Sequence, residues 1–182
     1  MTSIDQFTRL AAIHKPDCML SLEGPVPEAV PDPDVMARTL GSDVIGLYAT
    51  ACRPIYEDLR RIIGQLAGLL ILARLTARSE MADLTEMKQC QNRWHEAAQR
   101  LGALAAPTAL ERHKSQLNNA HAFSGLVMRS FPELRATADN TMKLNLMTVQ
   151  IKRAYAHLEA ASSVKAGLQM VDFSHACCSC AH

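Results

Sequence analysis

The sequence predicts an all-α protein, an up-and-down bundle of four to five helices. Apolar residues recur at intervals of three and four over long stretches, prolines fall mainly between those stretches, and the connections are short. The chain has 182 residues, 48% of them hydrophobic, so it is long enough to bury a substantial core. We divide it into an N-terminal arm (1–33), a helical bundle (34–171) and a Cys/His-rich C-terminal tail (172–182).

The N-terminal arm is expected to form a short amphipathic helix followed by a proline-rich connector. Ser3 and Gln6 have the spacing of a capping box, and apolar residues on one helical face follow them. These are Ile4, Phe7, Leu10 and Ala11. Five of the eight prolines lie between Pro16 and Pro33, a composition that favours an extended connector over a helix or a central strand.

The bundle is predicted to open with a helix of about 35 residues. Its apolar stripe consists of Leu40, Val44, Leu47, Ala51, Ile55, Leu59, Ile62, Leu66, Leu69 and Ala73. Pro54 lies inside this stripe, which predicts either a kink or two helices that meet there. Gly64 and Gly68 are four residues apart on the apolar half, which predicts close packing against a neighbouring helix.

Two further helices are predicted between residues 83 and 131. Asp83 and Glu86 supply a cap for the first, and Pro107 fits the first turn of the second. The apolar stripe of the first helix is Leu84, Met87, Cys90, Trp94, Ala97, Leu101 and Leu104. The stripe of the second is Leu110, Leu117, Ala120, Val127 and Phe131.

The last helix is predicted to begin at Pro132, behind a capping box formed by Ser130 and Glu133. Residues 142–146 alternate between apolar and polar types as a strand would, but no turn residue pairs them with a second strand candidate. A helix is therefore predicted, because Leu144, Thr148, Ile151, Tyr155 and Leu158 fit one helical face. We expect it to continue toward Gly167 or Met170.

Charge and hydropathy argue against nucleic acids and membranes as partners. The formal net charge is +1 and only 4% of the residues are aromatic, whereas binding to a phosphate backbone needs clustered cations and single strands need stacking platforms. The longest apolar stretch, 62–73, is shorter than the roughly 20 residues of a membrane span. The first residues lack the pattern of an export signal, so a cytoplasmic location with reduced thiols is expected.

The C-terminal tail concentrates ligands for soft metal ions. His175, Cys177, Cys178, Cys180 and His182 place three thiols and two imidazoles within eight residues. Thiolates combined with imidazoles favour Cu(I) or Zn(II) over hard cations. The Cys-Cys and Cys-x-Cys pairs resemble those of metallothioneins, a resemblance that covers six residues and implies metal sequestration. The sequence therefore predicts a non-enzymatic protein that binds Cu(I) or Zn through these five residues.

Other functions stay open at this point. The chain could be a protein-interaction module, or a modified-peptide precursor whose Cys-rich tail is the substrate of a partner enzyme. The tail cysteines could also have no role. A homodimer is left open as well.

The stretch around His121 suggests a different class of function. His121, Phe123 and Gly125 resemble the phosphorylated helix of histidine-phosphotransfer bundles, in which an apolar residue and a glycine follow the histidine at these spacings. The resemblance implies that His121 would accept a phosphoryl group, although Ser124 stands where that family has a basic residue. The simpler interpretation is a boundary histidine packed one turn from Leu117.

The remaining sequence offers no signature of catalysis. It contains no Gly-rich phosphate loop, Gly-x-Ser-x-Gly elbow or His-Glu-x-x-His helix, and no organic cofactor is predicted. Cys52 and Cys90 lie along predicted helices and are expected to fill the core, while Cys18 lies in the connector. Cys18 and Cys52 could nevertheless approach the tail and complete a metal site.

Overall fold

A computed structural model describes residues 32–76, 85–134 and 139–170. These ranges contain five α-helices and no β-strand beyond an isolated bridge between Ser163 and Leu168, which confirms the all-α bundle. The helices are α1 (Pro33–Leu40), α2 (Asp43–Thr76), α3 (Thr85–Ala103), α4 (Glu111–Ser130) and α5 (Thr141–Ala160). In the ranges described, none of these helices combines the length and apolar character needed to cross a membrane.

Several predictions fall outside the described residues and stay predictions. They are the helix and connector of the N-terminal arm up to residue 31, the cap at Asp83, and the C-terminal tail from residue 172 onward. The last residue of the predicted connector, Pro33, instead begins a helix.

Helix α1 is short and capped at both ends. The Asp32 carboxylate accepts a hydrogen bond from the Asp34 backbone N–H at 2.9 Å, and Pro33 occupies the first helical position, where no N–H is needed. Gly41 ends the helix in the left-handed conformation, with φ of 76°. The chain then reverses, so that α1 packs against the first turns of α2.

Helix α2 is the central element, because it contacts each of the other four helices. It runs unbroken through Pro54, so the alternative of two separate helices is wrong. The predicted stripe is confirmed from Ile55 onward. Its first part is wrong, since Val44 and Leu47 are 60% and 63% exposed and line an open apolar groove with residues 103–107.

The buried face of α2 shifts at its N-terminal end because α1 lies there. Gly46 is buried against Ala37 of α1, and the neighbouring buried side chains are Tyr48, Ala49 and Cys52. The apolar period predicts that the side of α2 carrying Val44 and Leu47 is buried. Because α1 packs against a different side, Gly46 and Ala49 are buried there instead.

The predicted close packing at Gly64 and Gly68 is wrong. Both glycines are exposed, and a Cβ added to either would meet no heavy atom within 4 Å. Their spacing places them on one face of α2, and that face points outward. Close approaches occur instead at Gly46 and Gly125.

Helices α3 and α4 follow their predicted stripes closely. Met87, Cys90, Ala97 and Leu101 are buried in α3. The buried members of the second predicted stripe are Leu117, Ala120, Val127 and Phe131. Pro107 precedes a 3-10 turn, Thr108–Leu110, that leads directly into α4.

The last helix begins and ends elsewhere than predicted. Pro132 lies in a 3-10 turn, Phe131–Glu133, and the Ser130 hydroxyl donates to the Leu126 carbonyl instead of capping a new helix. Residues 142–146 are helical, as predicted.

Helix α5 ends at Ala160, short of the predicted end at Gly167 or Met170. The backbone reverses through a third 3-10 turn, Val164–Ala166, and Gly167 adopts a φ of 69°. Ser162 and Ser163 are weak helix formers and Gly167 takes the left-handed conformation, so the chain turns there.

Candidate functional site

The predicted metal ligands lie outside the described residues. His175, Cys177, Cys178, Cys180 and His182 all fall in the range 171–182. Within residues 32–76, 85–134 and 139–170, no three His, Cys, Asp or Glu side chains are arranged so that they could hold a metal ion.

The two cysteines of the described bundle belong to its core, as predicted. Cys52 and Cys90 are free thiols with no solvent exposure. Burial raises the pKa of the Cys52 thiol to about 12 and that of Cys90 to about 11, because a thiolate loses its hydration there. The Cys90 thiol donates weakly to the Ile62 carbonyl, with Sγ 4.0 Å from the oxygen. Both side chains therefore act as apolar filler and stay protonated.

His121 is half-buried and pairs with Trp94 of α3. The two rings stack with centroids 4.2 Å apart and an interplanar angle of 12°. His121 Nε2 donates to the Trp94 carbonyl at 3.1 Å, and the indole Nε1 donates to the His121 carbonyl at 3.0 Å. Burial lowers the pKa of His121, so the neutral imidazole is favoured.

Packing accounts for the residues that resemble a phosphotransfer helix. A Cβ on Gly125 would lie 2.8 Å from the Trp94 ring, so the glycine makes room for the indole. Phe123 stacks on His157 at 5.5 Å, with the Arg153 guanidinium 5.7 Å from its ring. Phosphorylation of His121 at Nε2 would require the bond to the Trp94 carbonyl to break.

Two other histidines join elements that are distant in the sequence. His113 accepts a hydrogen bond from the Tyr48 hydroxyl at Nδ1 and donates to the Ala161 carbonyl from Nε2, both at 2.9 Å. His157 Nδ1 donates to the Gln116 side-chain oxygen at 2.6 Å. Periodicity cannot identify such partners, because it relates residues only within one element.

A pocket beside Trp94 was not predicted from the sequence. It has a volume of about 420 Å³ and lies between α3, the C-terminal half of α4 and the turn at Pro132. We call it the Trp94 pocket, and its lining residues are Gln91, Trp94, His95, Gly125, Met128, Arg129 and Pro132. The sequence shows a single tryptophan, Trp94, and a glycine within a predicted helix, Gly125. Nothing in the sequence indicates that these two residues pack against each other.

Comparison with known proteins identified no related protein. No protein-family model, curated protein or solved structure matches the chain significantly. The functional proposals therefore depend on the residues of this chain and on the contacts among them.

Proposed function

We propose that this protein is a non-enzymatic binder of a soft metal ion, Cu(I) or Zn(II), and that His175, Cys177, Cys178, Cys180 and His182 are the ligands. The observation that carries the proposal is the density of soft donors, three thiols and two imidazoles within eight residues. Thiolate and imidazole are the protein ligands that select these ions over Mg²⁺ or Ca²⁺.

The spacing of the tail cysteines favours Cu(I). Zinc fingers separate paired cysteines by two to four residues so that both sulfurs can reach one tetrahedral ion. Cys177 and Cys178 are adjacent and Cys180 follows after one residue, a pattern that suits an ion with two or three ligands. Zn(II) is the second candidate, with the two histidines completing its coordination.

The bundle's own thiols support this assignment of ligands. Cys52 and Cys90 are buried and protonated, so neither supplies a thiolate without opening the core. The described part of the chain also contains no competing cluster of three potential ligands. Both observations support the tail as the metal site over the described part of the bundle.

Replacement of the tail thiols tests the proposal. C177S/C178S/C180S should bind Cu(I) more than about 100-fold more weakly than the unmodified protein. Losing one residue that merely supports a metal ligand costs up to about 100-fold in affinity, and here three ligands themselves are lost. Affinity is measured under anaerobic conditions by competition with a chromogenic Cu(I) chelator, and Zn(II) is titrated in parallel. The matched control is C52A/C90A, which removes both thiols of the described bundle. This variant should keep the full affinity.

Two results would count against the metal proposal. One is equal Cu(I) and Zn(II) affinity for C177S/C178S/C180S and the unmodified protein. The other is an intact mass, measured after denaturation and chelation of protein from its native cell, that reveals a covalently modified tail. That second result would favour the modified-peptide alternative, because bound metal is lost under those conditions and a covalent group is not.

A further inference from the structure

The Trp94 pocket has the dimensions of a small-molecule site. Its volume of about 420 Å³ falls within the range of roughly 300 to 1,000 Å³ that is usual for ligand pockets. It is formed by residues between 91 and 132 and shares no residue with the proposed metal ligands, so it raises a separate functional question.

The wall of the Trp94 pocket is apolar and held in place. Trp94 is fixed by its stack on His121, by the bond from its indole Nε1, and by an edge contact with the His95 ring at 5.1 Å. Met128, which is 5% exposed, and Pro132 add further apolar surface to the lining. A wall that is ordered before binding loses little conformational entropy when a flat apolar ligand packs on it.

Gly125 keeps the aromatic ring and a cation side by side. A Cβ at this position would lie 2.8 Å from Trp94 Cζ2 and 3.2 Å from Nη1 of Arg129. The guanidinium of the exposed Arg129 therefore lies near the indole, and both groups line the same pocket. A larger residue at 125 would separate the two groups or displace them.

The charge of the Trp94 pocket is positive. Arg129 is its one Lys or Arg residue, and no Asp or Glu lines it among the described residues. Within the ranges 32–76, 85–134 and 139–170, Arg129 makes no ion pair or hydrogen bond. Gln91 contributes a side-chain amide to the lining, and the His95 ring is held by a hydrogen bond from Nδ1 to the Gln91 backbone carbonyl at 2.7 Å.

From this combination we infer that the Trp94 pocket binds a small organic carboxylate with a flat apolar body. The apolar body packs against Trp94, Met128 and Pro132, and the carboxylate pairs with the Arg129 guanidinium, whose planar fork matches two carboxylate oxygens. The side-chain amide of Gln91 provides a further polar contact.

The chain's single tryptophan gives a direct readout of this site. The probe is 4-phenylbutyrate, and the matched neutral ligand is 4-phenylbutyramide, which has the same body without the charge. We expect saturable quenching of Trp94 fluorescence by the carboxylate, with a dissociation constant in the millimolar range or tighter. The amide should bind at least about 10-fold more weakly, because a hydrogen bond to a charged group contributes more than one to a neutral group.

Two variants separate a built site from non-specific adsorption. Arg129→Gln should weaken 4-phenylbutyrate binding at least about 10-fold and leave the amide unaffected. Arg112→Gln removes an exposed arginine from the first turn of the same helix and should change neither affinity. The inference is overturned if quenching by 4-phenylbutyrate does not saturate by about 10 mM. It is also overturned if carboxylate and amide bind equally, or if Arg129→Gln binds as the unmodified protein does.

Discussion

Trp94 and His121 stabilise each other through contacts that the sequence does not reveal. Each donates a hydrogen bond to the other's backbone carbonyl, and their rings stack. A neutral hydrogen bond of this kind contributes about 1 kcal/mol, and an aromatic pair about 0.5 to 1.5 kcal/mol beyond its buried area. Burial of the imidazole is the main reason that the pKa of His121 is lowered, and the hydrogen bond to the Trp94 carbonyl opposes this shift.

We predict that His121 makes folding sensitive to mild acid. The folded-state pKa of His121 lies below its ordinary value of 6.5, so the unfolded chain binds a proton more readily than the folded one. Stability should fall as the pH drops through about 6.5, and this contribution is fully lost below the lowered folded-state pKa. His121→Gln removes the titrating imidazole, so the free energy of unfolding should depend less on pH in this range. The variant should also be about 1 kcal/mol less stable at neutral pH, because the ring stack is lost.

Urea unfolding followed by circular dichroism between about pH 7.5 and 5 measures this difference. All other titrating groups are shared by the two proteins, so they cancel in the comparison. Parallel pH profiles for His121→Gln and the unmodified protein would contradict a buried, neutral His121.

The residue scale also marks where sequence analysis stops. The spacing of His121, Phe123 and Gly125 resembles a phosphotransfer helix, and in the structure these residues pack against Trp94 and His157. Trp94 is 27 residues away from His121 along the chain. Neither propensity nor periodicity connects residues at that distance.

At the scale of the helix, α2 contains glycines in two different environments, so the same glycine-to-alanine substitution can be made in a packed and in an open position. Gly46 faces α1, where a Cβ would come within 2.8 Å of the Ala37 backbone, and Gly64 and Gly68 face open space. Glycine in the interior of a helix costs about 1 kcal/mol relative to alanine. The three glycines therefore separate helix propensity from tertiary packing.

We predict that Gly64→Ala and Gly68→Ala each stabilise the fold by about 0.5 to 1 kcal/mol. Gly46→Ala should instead be at least about 1 kcal/mol less stable than Gly64→Ala, because displacing α1 costs about 1 to 3 kcal/mol and exceeds the gain in propensity. Chemical denaturation of the three variants measures the differences. A stability gain at position 46 equal to that at 64 would mean that α1 does not pack against α2 there.

The same helix explains which element predictions succeeded. From Ile55 to Ala73 the apolar period alone identified the buried face, because α2 there packs into the bundle interior. At Val44 and Leu47 it failed, since the short α1 occupies another side of the helix. Gly64 and Gly68 share a face, but spacing alone does not tell which way that face points.

At the scale of the whole molecule, the fold class was predictable because many weak periodic signals agree. The junctions were not, since the end of α5 depends on a local reversal at Ser163 and Gly167. The Trp94 pocket could not be predicted either, because α3, α4 and the turn at Pro132 each supply part of it. His113 illustrates the same limit, joining Tyr48 in α2 to the Ala161 carbonyl beyond α5.

The central claim is that the C-terminal tail binds the metal ion and the helical bundle does not. Metal occupancy tests it most directly. Native mass spectrometry compares the full chain with a version ending at Ser174 after both are reduced and exposed to Cu(I) or Zn(II). We predict that the full chain retains bound metal and that the shortened protein retains none, with the same helical circular dichroism in both. Equal metal occupancy in the two proteins would contradict the claim.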